Sequence, residues 1–543
     1  MPSTLTVASR SWIHIVLAAV VALMAGRIVV AQEEAATDTQ PTEQPAGEEQ
    51  AAQAATPLTP EQATAAAKEG EEALQSGDFE KALQAYNVVY QWGAQNAFSE
   101  QGAFAVMIAF TGRGQALVGL NEYEAALEEF KNALDQNRNF TPALVARGNL
   151  YLEVGQAEEA LADFQAAVKA NRGDLQAQFG FGKALVQLGG FQQGIKPLTR
   201  VLDANPDSAE ARRLRGTAYA ALFKTPEGIA DLEEAIRISP DEYESYFTLG
   251  MVYLRDEKFT EATDQLRKSI EHYKPKQGQE ESPYLQGYLT LSSAYIEQGK
   301  ATKDEAAKKA AFQAAVDTAK ELLAQFDEKN PNMGPYRAAV LYSRGVGERM
   351  LGQLGKAVHT FSEAIQLNPE LSEAYFRRGI CFHLLGEDKM AIADFVRSAT
   401  INFTDPRANL WEGFTHAKMG DYHEALRAYG NAITASDRYI PAYVNRGLAY
   451  MNLGEYEKAV ADFNDAIRLE PANPEHYFKR GVAYERLQDH EKAAASFASA
   501  IEFNDKHAAA YRHMASTMQS LGRTELANEY RQKANALAPA TKQ

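Results

Sequence analysis

The side chains that most often carry chemistry in proteins are present in this sequence but lie scattered along it. There are ten histidines and one cysteine, and no set of His, Cys and Asp residues has the spacing of a metal site. His416 and His423 flank a predicted turn, and dispersed histidines of this kind are more often structural or exposed than functional. We therefore predict no metal site and no cofactor.

Two other catalytic patterns can be weighed. The glycines of FGFGKALVQLGG, residues 179–190, resemble a phosphate-binding loop, but such a loop follows a β-strand and none is predicted here. Cys381 lies in the apolar stretch RRGICFHLLG, where a cysteine acts as a small buried hydrophobe more often than as a reactive thiol. No segment outside the repeats described below is long enough for a catalytic domain, so we predict that the protein is not an enzyme.

The composition predicts a helical chain, and the net charge argues against a nucleic-acid partner. Helix-forming residues dominate, and Val/Ile-rich runs typical of strands are missing outside the N-terminus, which predicts an all-α fold. The net charge is -17. Because an acidic surface repels phosphate backbones and no Lys/Arg cluster reverses the sign locally, we predict no nucleic-acid partner.

The N-terminus has the pattern of a targeting segment. Arg10 precedes the uncharged run SWIHIVLAAVVALMAG, residues 11–26, which is followed by Arg27 and small residues up to Ala31. This predicts a signal peptide over residues 1–31. The alternative is an uncleaved anchor over residues 11–31, the one membrane contact we expect, and either reading predicts an exported protein, periplasmic or secreted. Residues 32–62 are rich in Gln, Glu, Ala and Pro and are predicted to be a disordered linker.

The rest of the sequence repeats with a period of about 34 residues. The residues 63–276 form an N-terminal series, 277–337 contain one irregular unit with a lengthened second helix, and 338–541 form an uninterrupted C-terminal series of six units, which gives about 13 in total. Counted from the first residue of each unit, such as Ile440, position 8 is glycine in eleven units, position 20 is small, and position 24 is often Phe. Because glycine inside a helix costs about 1 kcal/mol, we predict that a neighbouring backbone passes too close to position 8 for a side chain.

These positions resemble the tetratricopeptide repeat (TPR) family, whose helix-turn-helix unit has about 34 residues. The resemblance covers residues 63 to about 541. It implies an all-α solenoid, a right-handed α-α superhelix in which the first helices line a concave groove. It also implies binding of proteins or peptides in that groove. Glu475 stands where the family's clamp for chaperone tails needs a cation, so we do not predict binding of such tails.

Charged residues also recur in register. Arginine occupies position 7 in seven units, and in five of them position 23 is acidic. We predict an ion pair between the two helices of each of these units, with a structural role favoured over ligand contact. The pairs are Arg113 with Glu129, Arg147 with Asp163, Arg215 with Asp231, Arg378 with Asp394, and Arg446 with Asp462.

The family layout places positions 5 and 9 of the first helices in the groove, where the C-terminal series is apolar. Contiguous exposed apolar surface usually marks an interaction site. We predict partner binding there, while packing between units is an equally weighted alternative for much of this surface. The predicted binding residues are Tyr342, Phe376, Leu410, Trp411, Phe414, Val444, Leu448 and Phe478.

Two functions fit these observations. The first is an exported scaffold that holds one or more proteins through its groove, with envelope assembly as its setting. The second is a non-catalytic regulatory or carrier subunit of a complex that makes an envelope glycan or polymer. The sequence leaves both open.

Overall fold

The computed structural model describes residues 58–275, 284–326 and 333–537. The predicted signal segment, and the predicted linker up to residue 57, lie outside the described residues. The chain divides into two compact units, Met1–Lys274 and Pro275–Gln543. Throughout the described ranges the regular structure is helical, and no strand occurs in them.

The described part of the first unit contains twelve helices that follow one another in consecutive pairs. They are α1 (Pro60–Ser76), α2 (Phe79–Gln95), α3 (Glu100–Gly119), α4 (Tyr123–Gln136), α5 (Thr141–Glu153), α6 (Ala157–Ala170), α7 (Leu175–Gln187), α8 (Phe191–Ala204), α9 (Ala209–Ala221), α10 (Thr225–Ile238), α11 (Tyr243–Arg255) and α12 (Phe259–His272).

The described part of the second unit contains fourteen helices with the same arrangement. They are α13 (Leu285–Ala301), α14 (Glu305–Leu323), α15 (Gly334–Met350), α16 (Leu354–Leu367), α17 (Ser372–Leu385), α18 (Asp388–Ile401), α19 (Pro406–Met419), α20 (Tyr422–Ala435), α21 (Ile440–Leu453), α22 (Tyr456–Leu469), α23 (Pro474–Arg486), α24 (His490–Phe503), α25 (Ala508–Ser520) and α26 (Thr524–Ala536).

The first helix begins earlier than the sequence indicated. Its start lies at Pro60, before the repeat boundary at 63 and inside the segment 32–62 that we predicted to be a disordered linker. A capping box explains the start, because the Thr59 hydroxyl accepts from the Gln62 backbone N–H while Gln62 Oε1 accepts from the Thr59 N–H. Pro60 adds a preset φ at the first helical position.

The inserted residues lengthen helices, and two of the prolines lie within helices. The extra residues after the first unit lengthen α2 and α3 to 17 and 20 residues, where most helices have 13 or 14. In the irregular unit the first helix, α13, is lengthened to 17 residues as well as the second, α14, to 19. Pro197 lies inside α8, which continues through it, and Pro226 stands in the first turn of α10.

The position 8 glycines face a side chain of the same unit, which corrects the prediction that a neighbouring backbone approaches them. A Cβ atom added to Gly447 would lie 2.8 Å from Phe463 Cε1, and one added to Gly413 would lie 2.6 Å from Tyr429 Cε1. Both distances are shorter than real Cβ contacts. Gly216 differs, because the nearest atom to its added Cβ is the Gly228 carbonyl oxygen, at 3.0 Å. The glycine at position 8 therefore makes room for the large side chain at position 24.

Those large side chains also join neighbouring units. Phe463 of α22 is fully buried and packs in one cluster with Ala483 of α23, where Tyr484 and Leu487 close around it. Phe130, Phe164, Phe361, Phe395 and Phe497 are equally buried at the same position. Each unit thus completes its core with residues of the next one, as in other repeat proteins.

Candidate functional site

The structure brings together all five arginine and acid pairs named above. Arg147 donates from Nε to Asp163 Oδ2 and from Nη2 to Asp163 Oδ1, both at 2.8 Å. The pairs of Arg215, Arg378 and Arg446 have the same two-bond geometry, whereas Arg113 makes a single contact with Glu129. Two parallel hydrogen bonds fix the guanidinium plane and so hold the two helices of a unit in one register.

Two of these arginines also reach into the preceding unit. Arg378 Nη1 donates to Ser362 Oγ at 2.9 Å, and Arg215 Nη1 donates to Thr199 Oγ1 at 3.2 Å. Burial raises the pKa of Asp394, and the hydrogen bonds from Arg378 oppose that rise. Arg215 and Arg378 thus each join the two helices of their own unit to the preceding unit through partly buried groups, which is a structural role.

Two of the other units have a different ion pair in place of this one, and the pattern at positions 7 and 23 did not predict it. In the unit of α19 and α20, position 7 is Glu412, and Arg427 donates to its Oε1 at 2.6 Å, so the charges are reversed. In the unit of α15 and α16, Arg344 instead pairs with Glu348, 2.9 Å away, whose other oxygen accepts from Thr360 at 2.7 Å. An acidic residue at position 7 was the signal for the first case.

Phe376, one of the predicted binding residues, is buried and not exposed in a groove. Its side chain is only 4% exposed and packs against Phe395, with ring centroids 6.0 Å apart. Ile380 and Ala408 lie in the same cluster. Phe376 therefore belongs to the packing between units, the alternative that the sequence left open.

Phe414 and Leu448 are the predicted binding residues that the structure leaves most exposed, at 46% and 38%. They occupy position 9 of the successive first helices α19 and α21. Trp411 is partly buried beside Phe414, with ring centroids 5.8 Å apart, and contacts His383 at 5.6 Å. Burial, followed by the charge of Lys418, lowers the pKa of His383, so this imidazole is neutral at neutral pH. We call Trp411, Phe414 and Leu448 the aromatic patch.

The other predicted binding residues are partly buried against their own or adjacent units. Tyr342 lies against Phe361 with centroids 6.0 Å apart, and burial raises its pKa to about 12. Phe478 lies against Phe497 at 5.9 Å. Leu410 packs beside the cluster of Tyr429, and Val444 is partly buried. Among the predicted binding residues, the strongly exposed side chains are therefore those of Phe414 and Leu448 in the aromatic patch.

A surface depression of about 480 Å³ lies elsewhere, between the second helices α18 and α20. Val396 and Phe403 line it on one side and Arg427 on the other. Phe403 is 75% exposed at the end of α18. Its lining includes both partners of the reversed pair, Glu412 and Arg427, so its charges are already balanced.

Chemistry elsewhere in the described residues is limited. Cys381 is fully buried, and burial raises the pKa of its thiol to about 11, which disfavours the reactive thiolate. Among residues 58–275, 284–326 and 333–537, no three His, Cys, Asp or Glu side chains form a group that could hold a metal ion. No helix in the same ranges has the length and hydropathy needed to span a membrane.

Family models identify the repeats directly. Models described as tetratricopeptide repeat or TPR repeat match residues 111–174, 145–185, 179–243, 447–488 and 475–507. A model described as anaphase-promoting complex subunit 5 matches residues 246–376 and 394–438. The chain therefore carries tetratricopeptide repeats, and its fold is an all-α tetratricopeptide solenoid. The matches cover part of the predicted array, so the count of about 13 repeats stays a prediction.

The solved structures that this chain matches have low sequence identity to it. The MamA protein is 22% identical, over 33% of this chain and 95% of that one, with a TM-score of 0.30. The anaphase-promoting complex hetero-tetramer Cut9-Hcn1 is 16% identical over 83% and 96%, with a TM-score of 0.31, and yeast Tom70 is 14% identical over 87% and 96%, with a TM-score of 0.36. These likenesses carry no argument about function. The search of curated proteins gave no match.

Proposed function

We propose that this protein is a non-catalytic scaffold that binds a segment of a partner protein at the aromatic patch. The observation that carries the proposal is the exposure of Phe414 and Leu448 at equivalent positions of successive first helices, with Trp411 beside them. Large apolar side chains near the centre of an interface commonly supply most of its binding energy. The presence of tetratricopeptide repeats supports a protein or peptide as the ligand.

The double variant Phe414→Glu with Leu448→Glu is expected to reduce recovery of the partner at least tenfold, because each glutamate places a charge where the partner must exclude water. The measurement is quantitative copurification with the full-length protein after cross-linking in the cells that produce it. Phe403→Glu is the matched control, since Phe403 is exposed outside the patch, and it should leave recovery within twofold. Unchanged recovery with the double variant would reject the site.

We also propose that the protein acts outside the cytoplasm. The support is the uncharged run of residues 11–26 between Arg10 and Arg27. The intact mass of the protein purified from its own cells tests this proposal: a chain beginning at Gln32 indicates cleavage, and an unprocessed chain in the cytosolic fraction contradicts export.

Within the cell envelope, assembly scaffolding is our leading proposal and a subunit role in glycan or polymer synthesis is the alternative. The same copurification separates them. Recovery of several envelope proteins favours scaffolding, whereas recovery of a glycosyltransferase or polymer synthase alone favours the subunit role.

A further inference from the structure

The depression between α18 and α20 contains a buried amide that has no partner among the described residues. Asn409 of α19 lines the depression and is only 7% exposed, yet its side-chain amide forms no hydrogen bond in the ranges that the structure describes. The walls are apolar, with Val396 and Phe403 on the side of α18 and Ala435 on the side of α20. Because a buried amide without a hydrogen bond is costly, a ligand that bonds to Asn409 gains free energy there.

Asn409 occupies position 4 of its unit, where four other units carry a longer polar side chain. In those units the side chain donates to the carbonyl of the residue six positions earlier, which is position 32 of the preceding unit. The bonds run from Gln178 to Arg172, from Arg212 to Pro206, from Tyr443 to Asp437 and from Tyr477 to Pro471, at 2.9 to 3.1 Å. Asn409 makes no such bond, so the equivalent carbonyl, that of Phe403, lacks this donor.

The depression corresponds to the space that a tyrosine ring fills in the unit of α23 and α24. There the Tyr477 ring stacks on Phe503, with centroids 5.4 Å apart. The residue equivalent to Phe503 in the unit of α19 and α20 is Ala435, which lines the depression. Asn409 and Ala435 thus stand where that unit has two rings, and their small side chains leave open a place that an aromatic side chain fills elsewhere in the array.

The charges around the depression fit a neutral aromatic ring. In the next unit, the guanidinium of Arg446 lies 5.8 Å from the centroid of the Tyr443 ring. The lining of the depression carries one cation, Arg427, and one anion, Glu412, which pair at 2.6 Å. A guanidinium attracts the face of an aromatic ring, and a ring without charge leaves the balance of this lining undisturbed.

We propose that the depression binds the side chain of a tyrosine supplied by a second partner protein. The ring lies between Phe403 and Ala435, and its hydroxyl hydrogen-bonds to Asn409. The volume of about 480 Å³ admits the ring together with part of its backbone. That the ligand belongs to a protein rests on the proposed function. Because the walls belong to second helices and the aromatic patch to first helices, we assign the tyrosine to a different protein from the one held at the patch.

The test uses the full-length protein and two small probes, N-acetyltyrosinamide and N-acetylphenylalaninamide, which differ by one hydroxyl group. Saturation-transfer difference NMR measures both dissociation constants, because it detects weak binding of small molecules to a large protein. We expect N-acetyltyrosinamide to bind about fivefold more tightly, which is the usual worth of one hydrogen bond.

Two variants locate the binding. Asn409→Tyr is expected to weaken binding of N-acetyltyrosinamide more than tenfold, because the new ring fills the depression as Tyr477 fills its own site. Its melting temperature should stay the same or rise, since an open space becomes packed. Val396→Glu should weaken binding at least fivefold by placing a charge beside the ring. Met390→Glu is the matched control, because Met390 is also an exposed apolar residue of α18 but lies outside the lining, and it should change binding less than twofold.

The aromatic patch is tested separately. The double variant Phe414→Glu with Leu448→Glu should leave binding of N-acetyltyrosinamide within twofold while it reduces recovery of the patch partner. Asn409→Tyr should in turn leave that recovery within twofold. Failure of the depression as a site and failure of the proposed function are therefore distinguishable.

Equal binding of the two probes, or binding of N-acetyltyrosinamide that either variant leaves unchanged, would overturn the proposal. Sedimentation velocity of the native protein and of Asn409→Tyr examines the other possible source of the tyrosine, a second copy of this chain. A dimer that Asn409→Tyr dissociates would overturn the assignment to another protein, whereas equal sedimentation coefficients support it.

Discussion

Phe463→Ala is expected to lower the free energy of unfolding by about 3–5 kcal/mol, the usual cost of removing a fully buried ring. The ring fills the space opposite Gly447 and packs on Ala483 of the next unit, so its loss leaves a cavity that two units share. Urea unfolding followed by circular dichroism measures the change. Phe403→Ala, at a position 75% exposed, should change the free energy by less than about 0.5 kcal/mol.

The loss of stability caused by Phe463→Ala should also be local. In a repeat protein each unit contacts its neighbours, so stability is lost locally. Hydrogen exchange should accelerate in α21, α22 and α23 and stay unchanged in α1 to α12. A loss below about 1 kcal/mol, or acceleration spread evenly over all helices, would show that the ring does not fill the space opposite Gly447.

Arg378→Met is expected to lower the free energy of unfolding by about 3 kcal/mol at pH 7, because it leaves Asp394 buried without its cation. Arg378 holds Asp394 with two hydrogen bonds of 2.8 Å and also reaches Ser362 of the preceding unit. Arg397→Met on the same helix as Asp394 is the matched control. Its partner Glu370 is exposed, so the loss there should stay below about 1 kcal/mol.

The loss caused by Arg378→Met should shrink in acid. Burial raises the pKa of Asp394 above its ordinary value, and removing Arg378 removes the hydrogen bonds that oppose this rise. A carboxyl whose pKa is higher in the folded state binds its proton first when folded, so folding gains stability as pH falls through that folded pKa. Urea unfolding of the variant and the native protein between pH 7 and pH 5 measures the difference. A difference that grows toward pH 5 would contradict this account.

The fold could be predicted closely because the same residue types recur at the same positions in many units. Glycine at position 8 and a large residue at position 24 recur in register, and the structure places each such pair in contact, as for Gly447 and Phe463. The ion pairs were predictable for the same reason, since the separation in sequence between Arg147 and Asp163 recurs in every equivalent pair. The start of α1 was missed because Thr59 and Pro60 act through a local cap that the repeat period does not contain.

The exposed site was harder to predict, because exposure depends on the unit that follows. Ile380 and Phe414 both occupy position 9. Ile380 is nevertheless buried, in a cluster against which Trp411 of the next unit packs. One repeat later the residue equivalent to Trp411 is Asn445, whose short side chain donates to the Pro441 carbonyl at 2.7 Å. A small polar residue there leaves Phe414 uncovered.

The central claim is that glycine at position 8 exists to admit the ring at position 24, and a double-mutant cycle between Gly447 and Phe463 tests it most directly. Gly447→Ala alone should lower the free energy of unfolding by about 1–3 kcal/mol, because its methyl group would lie 2.8 Å from the ring. In the Phe463→Ala background the same substitution should instead raise it by up to about 1 kcal/mol, the helix preference of alanine. Gly430→Ala, a helical glycine with open space around its added Cβ, should stabilise the protein in both backgrounds. Equal effects of Gly447→Ala with and without the ring would contradict the account.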